Sequence, residues 1–346
     1  MSEYGGPTPF VTVVIPVRNE ARFIAELLSA VWAQDYPPDH MEVIVADGMS
    51  TDGTRDILTA LQTKYPFLVI DNPAGIVSTG LNLAVARARG DVIVRVDGHA
   101  LIAPDFLRQN VALLTEHPEA WCVGGPIRHT ATTTFGKAVS VAMSHPMGVG
   151  SALHRYPEYE GYAEGAQFPA IRRWVFGRVG LFDERLVRNQ DDEFNYRVTR
   201  SGGRVFISPR VRYLYFVRGR PGQLFRQYFQ YGFWRIPVIA KHRRPTTARQ
   251  IAPILFYACC AVLGLAAAWW RVPFLGIALP AVYVALLCVP AASTLRRDGV
   301  RVALLVPLAI ATMHAGYGLG MSYGLWARIF QPRAWEPKGS MATISR

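Results

Sequence analysis

The sequence predicts a doubly wound, mainly parallel α/β sheet followed by membrane-spanning helices. Two observations carry this prediction. Short apolar runs alternate with helical patterns in the N-terminal part of the chain, and long uncharged runs fill much of the C-terminal part. The 346 residues have room for one large α/β domain and an appendage, because a single core rarely grows beyond about 250–300 residues.

The N-terminal alternation predicts repeated β-α-β units. Apolar runs predict strands from Phe10 to Val17, Met41 to Ala46, Phe67 to Ile70 and Val92 to Val96. Helical spacing predicts helices from Ala21 to Ala33, from about Thr54 to Lys64 and from about Ile76 to Arg89. Such units form a parallel sheet, whose ligands bind beyond the carboxyl ends of the strands.

Acidic residues follow three of these strands. Glu20 comes after the first, Asp47 ends the second, and Asp97 follows the fourth. An acidic edge needs a divalent cation before it can bind a nucleotide diphosphate, and Mg²⁺ or Mn²⁺ suits hard oxygen ligands. His99 stands two positions after Asp97, which directs both side chains the same way on an extended segment.

Turn and capping roles are the alternative for these residues. Asp52-Gly53 is a common turn pair, and Ser50 or Asp52 could cap the following helix. This alternative fits Asp47 less well, because the apolar strand that it ends requires no carboxylate. For His99 the alternative is an ordinary loop histidine.

Uncharged runs predict the membrane spans. The runs 251–270 and 272–292 each reach about 30 Å as a helix, and a third, 302–325, is interrupted by Pro307, His314 and glycines. Buried helices of a soluble protein are the alternative.

Basic residues flank the first two spans, and residues 1–10 lack a signal-peptide pattern. We therefore expect a multi-pass protein of the cell (inner) membrane with a cytoplasmic catalytic domain.

The positive charge is concentrated in one segment. Thirteen Lys or Arg residues and no acid lie between Phe194 and Arg249, so the net charge of +12 belongs to this segment. Interleaved aromatic residues favour a membrane surface or a pyrophosphate as its partner rather than nucleic acid. The four cysteines have no metal-type or paired spacing, which is typical of a reducing compartment.

Taken together, these motifs resemble glycosyltransferase family 2, the inverting enzymes with the Rossmann-like GT-A fold. The resemblance lies in Val13 to Glu20, Asp47-Gly48 with Ser50, Asp52-Gly53-Thr54 and the strand closing on Asp97. It is strongest to the membrane-bound succinoglycan-type glucosyltransferases, through Gly80-Leu81-Asn82, the run from Arg95 to Ala100 and the run from Asn189 to Arg197. The resemblance covers about residues 10–235 and implies a catalytic domain over 1–235. Composition then predicts a basic linker over 236–250, a membrane region over 251–327 and a tail over 328–346.

The resemblance also implies the donor site. Pro16, Val17, Glu20 and Asp47 would line the nucleoside pocket, with Asp47 a candidate for reading the base. Asp97 would sit at the ribose and diphosphate and, with His99, hold the metal. The histidine replaces the second acid of the commoner Asp-x-Asp and favours Mn²⁺, with Mg²⁺ open.

The same resemblance implies which residues act as the catalytic base and which contact the acceptor. The family's base aligns with Asp191, and Asp192 is the second choice; crowded carboxylates raise a pKa, which helps a base work near neutrality. The alternative is that these acids simply begin a helix. Further predictions are Arg173 in the pocket and three residues at the acceptor or pyrophosphate: Gln227, Tyr231 and Arg235. Gln227 begins a partial match to the Gln-x-x-Arg-Trp motif of processive relatives, which favours a single transfer.

The sequence therefore predicts transfer of a hexose, glucose by analogy, from a UDP-sugar to a polyprenyl-diphosphate-linked saccharide for an exopolysaccharide or envelope glycan. One alternative is a polyprenyl-phosphate sugar synthase. A second alternative, from another class, is a non-catalytic membrane scaffold that binds anionic lipid or nucleic acid through the basic segment.

Overall fold

A computed structural model describes residues 8–331, so most of the predicted tail lies outside the described residues. The chain divides into two compact units. The first contains the chain up to Arg128 together with Leu153–Tyr215, and the second contains His129–Ala152 and the chain from Phe216 onward. The units divide here between Tyr215 and Phe216, whereas the predicted catalytic domain ends at residue 235, and that boundary stays a prediction. The segment His129–Ala152 was not expected in the second unit.

The described residues form strands and helices close to those predicted from the apolar patterns. The strands are β1 (Val11–Val17), β2 (Met41–Asp47), β3 (Leu68–Asp71), β4 (Val92–Arg95), β5 (Leu101–Ile102), β6 (Ala120–Gly125), β7 (Arg128–Thr130), β8 (Gly161–Ala163), β9 (Gln167–Arg172), β10 (Arg204–Ile207) and β11 (Tyr213–Phe216). The helices are α1 (Ile24–Trp32), α2 (Thr54–Leu61), α3 (Val77–Arg87), α4 (Phe106–Glu116), α5 (Thr134–Met143), α6 (Pro146–Val149), α7 (Trp174–Val179), α8 (Gln190–Arg200), α9 (Pro221–His242), α10 (Ala252–Trp270), α11 (Pro273–Asp298), α12 (Val300–Ala303) and α13 (Val306–Phe330).

The first unit is built on one large sheet. Its strand order is β3-β2-β1-β4-β9-β6-β10-β8, and β1 is parallel to both of its neighbours. Strand β9 runs antiparallel to β4 and to β6, which are its two neighbours. The sheet is therefore mainly parallel, as predicted, with two reversed strands, β9 near its centre and β8 at one edge.

Both faces of this sheet are covered, which explains why its strands are almost continuously apolar. On one face, Val13 and Ile15 of β1 share a buried cluster with residues of α1 and α4. On the other face, Val14 shares a second cluster with residues of α3 and α8. Because alternate side chains of a strand point to opposite faces, β1 contributes to both clusters, and the fold is doubly wound.

The second unit contains the long apolar helices. Three are long and apolar enough to cross a membrane, namely Ala248–Trp270, Pro273–Asp298 and Val300–Phe330. The third is nearly half buried, because α9 packs along α13. The close approach depends on glycines: the Gly316 Cα faces the backbone of Phe225, and Gly320 faces that of Phe229. Residues 236–242, predicted as linker, are the end of α9.

Candidate active site

The loops after β1 and β2 are joined by hydrogen bonds between two sequence motifs. The backbone N–H of Asn19 donates to Ser50 Oγ at 2.9 Å, and the backbone N–H of Thr51 donates to Asn19 Oδ1 at 2.8 Å. The backbone N–H of Glu20 donates to Thr54 Oγ1 at 2.9 Å. Asn19 has a φ of 57°, in the left-handed region that asparagine tolerates. The two motifs therefore form one loop pair at the carboxyl edge of the sheet.

Asp47 ends β2 with an enclosed carboxylate. Its side chain has no exposed surface; Ser50 Oγ donates to Oδ1 at 2.5 Å and Arg55 Nη1 donates to Oδ2 at 2.9 Å. Arg55 also pairs with Asp71, at the end of β3, at 2.7 Å. The carboxylate thus ties the loop to the neighbouring strand end. Contact of Asp47 with a nucleobase requires Arg55 to move aside and stays a prediction.

Asp52 performs the turn role that was the alternative for it. Its Oδ1 accepts from the backbone N–H of Thr54 at 3.0 Å and from Thr54 Oγ1 at 2.5 Å. Its Oδ2 accepts from the backbone N–H of Ala21 at 3.1 Å. The Thr54 hydroxyl bond is the largest cause that lowers the pKa of Asp52. This acid therefore stabilises the loop pair.

Pro16 and Val17 are buried at the end of β1. The Pro16 ring lies on the side of the sheet that faces Gly80, and the Val17 side chain lies on the side of Gly98. The backbone carbonyl of Val17 accepts from the N–H of Gly48 at 2.8 Å. Both side chains are core residues, and their predicted place in the nucleoside pocket stays a prediction.

Glu20 contacts the histidine that was predicted to bind metal. Glu20 Oε1 and His99 Nδ1 lie 2.9 Å apart, with 20% and 44% of the respective side chains exposed. This contact connects the loop after β1 to the loop after β4. A carboxylate on one ring nitrogen is the usual arrangement that orients a metal-binding histidine.

Arg95, the last residue of β4, lies between the two principal predicted acids. Its Nε and Nη2 both reach Asp97 Oδ1 at 2.9 Å, and its Nη1 lies 3.9 Å from Asp191 Oδ2. Only 8% of the Arg95 side chain is exposed. The ion pairs with the two carboxylates keep the pKa of Arg95 above its ordinary value in spite of burial. The structure thus brings Asp97 and Asp191 to one guanidinium.

Asp191 lies in the first turn of α8, so it does begin a helix, which was the alternative reading of the sequence. Partial burial and the neighbouring charge of Asp192 raise the pKa of Asp191, and Arg95 opposes this shift. Because 40% of the Asp191 side chain is exposed, solvent weakens the effect of burial. The next acid, Glu193, is fully buried and pairs with Arg197 at 3.0 Å. Glu193 is therefore structural, which leaves Asp191 and Asp192 as the base candidates.

Arg173 lies away from the other residues that were predicted to line the donor pocket. Its backbone N–H donates to the carbonyl of Asp91 at 2.8 Å, just before β4 begins, and its side chain is exposed there. Asp97 lies six residues further along the chain, about 20 Å away at the opposite edge of the sheet. The cause is the reversed direction of β9, which carries its last residues away from the carboxyl edge. This position argues against the predicted place of Arg173 in the pocket.

The segment before α8 is fixed from α3. Asn82 Nδ2 donates to the carbonyl of Phe182 at 2.9 Å, and the N–H of Phe182 donates to Asn82 Oδ1 at 2.9 Å. Ser78 Oγ donates to the carbonyl of Leu186 at 3.2 Å. The asparagine of the Gly80-Leu81-Asn82 motif therefore positions the chain that leads to Asp191.

The three residues predicted at the acceptor or pyrophosphate share one stripe of α9, four residues apart: Gln227, Tyr231 and Arg235. Gln227 Nε2 donates to Tyr231 Oη at 3.1 Å. Gln227 and Arg235 are buried. All three belong to the second unit, and their contact with a diphosphate stays a prediction.

The residues present fit a metal only in combination with a substrate. Within residues 8–331, no group of three or more His, Cys, Asp or Glu side chains could hold a metal ion. Asp97 and His99 therefore offer two ligands at most. Magnesium-type sites commonly use one or two protein ligands and complete their coordination with substrate phosphates and water. The Glu20–His99 contact agrees with this arrangement.

Two functional candidates were missed from the sequence, namely Arg95 and Arg55. Arg95 could have been found from the sequence, because a charged residue at the end of an otherwise apolar, buried strand needs a partner of opposite charge. Arg55 carried no such signal, since an arginine in the first turn of a polar-faced helix is ordinary.

Comparison with solved structures identifies the fold. The mannosyltransferase PcManGT from Pyrobaculum calidifontis, solved with GDP-Man and Mn²⁺, matches with a TM-score of 0.56 at 23% identity over 92% of this chain and 88% of that chain. TarS of S. aureus, solved with UDP, matches with a TM-score of 0.51 at 18% identity over 92% of this chain and 91% of that chain. The fold is therefore GT-A.

Comparison with related sequences identifies the family to which this chain belongs. The model of Glycosyl transferase family 2 matches residues 12–178. The succinoglycan biosynthesis protein ExoA of Rhizobium meliloti is 34% identical over 275 residues, which are 77% of this chain and 81% of that protein. A dolichyl N-acetyl-alpha-D-glucosaminyl phosphate glucuronosyltransferase of Methanococcus voltae is 27% identical over 232 residues, which are 64% of this chain and 72% of that protein. The chain belongs to glycosyltransferase family 2.

Proposed function

We propose that this glycosyltransferase moves one hexose, with inversion, from a nucleoside-diphosphate sugar to a lipid-linked saccharide at the cytoplasmic face of the cell membrane. The main observation that supports this proposal is that Asp97 and Asp191 lie on either side of Arg95, at the carboxyl edge of the sheet. The three apolar helices support an acceptor that is embedded in a membrane. The relatives named for succinoglycan and for a dolichyl-linked sugar support a glycan product.

The chemistry is a direct displacement at the anomeric carbon. Asp191 removes the proton of the acceptor hydroxyl, whose oxygen bonds to the anomeric carbon while the bond to the diphosphate oxygen breaks. The raised pKa of Asp191 suits a base that works near neutral pH. Asp97 and His99 would hold a divalent cation, Mn²⁺ or Mg²⁺, which would stabilise the charge of the departing nucleoside diphosphate.

The donor is a UDP-hexose in this proposal, with glucose as the sugar by analogy to the succinoglycan-type relatives. Solved neighbours were crystallised with GDP-Man and with UDP, so both bases belong in the test. The acceptor is a polyprenyl-diphosphate-linked saccharide. The partial match of Gln227 and Tyr231 to the motif of processive enzymes favours one transfer rather than polymerisation.

The test uses the full chain in detergent with UDP- and GDP-hexoses, Mn²⁺ or Mg²⁺, and glycosylated polyprenyl diphosphate. Release of the nucleoside diphosphate is measured for the wild type, Asp191→Asn and the matched variant Asp192→Asn. We expect a 10²- to 10⁴-fold loss of kcat for Asp191→Asn, the usual range for removing a general base, and a much smaller loss for Asp192→Asn. A full rate in Asp191→Asn would show that this base assignment is wrong.

A second candidate is a polyprenyl-phosphate sugar synthase, whose acceptor is the bare lipid phosphate. The Methanococcus voltae relative is named for an acceptor that carries a sugar on dolichyl phosphate, which supports a lipid monophosphate as the carrier. Supplying bare polyprenyl phosphate as the acceptor separates the two functions. A product formed on bare lipid phosphate, and none on the glycosylated diphosphate, would identify a polyprenyl-phosphate sugar synthase.

A further inference from the structure

We propose that Arg95 is a positioning residue for the transfer step, fixing Asp191 on the acceptor side relative to Asp97 on the donor side. This inference rests on the proposed function, because it assigns Arg95 a role through those two acids. It predicts that the geometry of the guanidinium, and not only its charge, sets the rate.

The contacts of Arg95 use different atoms for the two acids. Nε and Nη2 hold Asp97 Oδ1 at 2.9 Å, and Nη1, on the other arm of the planar group, faces Asp191 Oδ2 at 3.9 Å. The first contact combines a charge-assisted hydrogen bond from Nε with an ion pair from Nη2, and the second is an ion pair without a hydrogen bond. One rigid group thus relates the positions of two carboxylates that are 94 residues apart in sequence.

The backbone of Arg95 is itself held rigidly. Arg95 pairs with Val14 of β1 in the parallel register, and the N–H of Val96 donates to the carbonyl of Val14 at 3.0 Å. A side chain that leaves a central strand has less freedom than one on a loop, which suits a group that must hold catalytic residues to within about 0.5 Å.

A purely structural ion pair is the competing explanation. A buried guanidinium needs carboxylate partners wherever it occurs, and removing such an ion destabilises a fold without any selective effect on catalysis. The two explanations differ for Arg95→Lys. Lysine keeps the charge, but a single ammonium lacks the planar fork that reaches two carboxylates in fixed directions.

The experiment compares Arg95→Lys with a matched arginine of the adjacent strand. Arg172 in β9 is half-buried and donates to the carbonyls of Ala120 and Leu114, with no acid among these partners. Both lysine variants are made in the full chain, and thermal melting, kcat and the KM of the nucleotide sugar are measured. Arg95→Gln is the second variant at this position, in case the lysine variant does not fold.

We expect Arg95→Lys to lower kcat by about 10²-fold, the cost of misplacing reacting groups by about 1 Å, with a change in donor KM below about threefold. Arg172→Lys should leave kcat within about twofold. In the Asp191→Asn background, Arg95→Lys should cause a much smaller further loss than in the wild type, because its effect through Asp191 is gone and only its contact with Asp97 remains.

Three results would overturn the inference. The first is a wild-type kcat in Arg95→Lys together with an inactive Asp191→Asn, which leaves the proposed function intact. The second is a loss in the double variant equal to the product of the single losses, which indicates independent roles. The third is full activity of Asp191→Asn, which removes the base assignment and this inference together.

Discussion

The carboxylate of Glu20 contacts the imidazole of His99 at 2.9 Å, and so connects two strand-end loops that lie far apart in sequence. Glu20 was predicted at the nucleoside, but its observed partner is the predicted metal ligand. The contact orients the imidazole ring, and under the proposed function Glu20 would tune the affinity of His99 for a metal.

Glu20→Gln should therefore weaken the response to Mn²⁺. Loss of an outer carboxylate typically costs 10- to 100-fold in metal affinity, so the Mn²⁺ concentration for half-maximal activity should rise by about that factor. The measurement is a Mn²⁺ titration of nucleoside diphosphate release. Glu26→Gln, an exposed acid of α1, is the control. An unchanged Mn²⁺ requirement in Glu20→Gln would argue against His99 as a ligand.

The raised pKa of Asp191 predicts a pH-dependent cost in stability. Since the folded state binds this proton more tightly than the unfolded state, the contribution of Asp191 is fully favourable only below the unfolded pKa and is lost as pH rises through the folded pKa. Asp191→Asn should thus melt at a higher temperature than the wild type at pH 7–8, with the difference shrinking toward pH 4.

Thermal melting of the full chain across this pH range checks the sign. Asp56→Asn, on the exposed side of α2, serves as the control and should show no such trend. A lower melting temperature for Asp191→Asn at pH 8 would contradict the direction of the pKa shift.

Ser50 stabilises the loop pair through two contacts, and its loss should be measurable. Ser50→Ala removes the acceptor of the Asn19 N–H and one donor to the buried Asp47 carboxylate. We expect a destabilisation of about 1–3 kcal/mol, the cost of leaving buried polar groups unsatisfied, together with a higher donor KM. Thr51→Ala, which removes an exposed neighbouring hydroxyl, should change neither quantity; equal effects of the two substitutions would count against this role.

The glycines of α13 predict a position-specific effect of an added methyl group. A Cβ on Gly320 would overlap the backbone of Phe229 in α9, whereas a Cβ on Gly264 of α10 would meet nothing within 4 Å. Gly320→Ala should cost about 1–3 kcal/mol through overpacking, seen as a lower melting temperature in detergent. Gly264→Ala should leave it unchanged, and the reverse order would refute this packing.

Arg173→Ala should retain activity within about twofold, because Arg173 lies at the opposite sheet edge from Asp97. Nucleotide-sugar KM and kcat are the measurements. A large rise in donor KM would restore Arg173 to the pocket and contradict the position described for it.

The sequence by itself determined the layered fold and most of the acidic edge. Helices cover both faces of the sheet, so the strands around Val13, Ile44 and Val94 are continuous apolar runs. These runs can be recognised in the sequence without the structure. The acids that follow these strands share one edge because parallel strands end on the same side. For that reason Asp97 and Asp47 could be located without coordinates.

Only the tertiary structure decided which residues meet. A strand has the same apolar pattern in either direction, so the sequence does not reveal that β9 is reversed. This reversal is what carries Arg173 away from the carboxyl edge of the sheet. The pairing of Arg95 with Asp191 joins residues far apart in the chain, and local spacing carries no information on such contacts. His99 illustrates both. Its position two residues after Asp97 is read from the sequence, but the segment is a turn and not the expected extended chain, with the Ala100 N–H donating to the Asp97 carbonyl at 2.9 Å. Its partner, Glu20, depends on how two separate loops fold together.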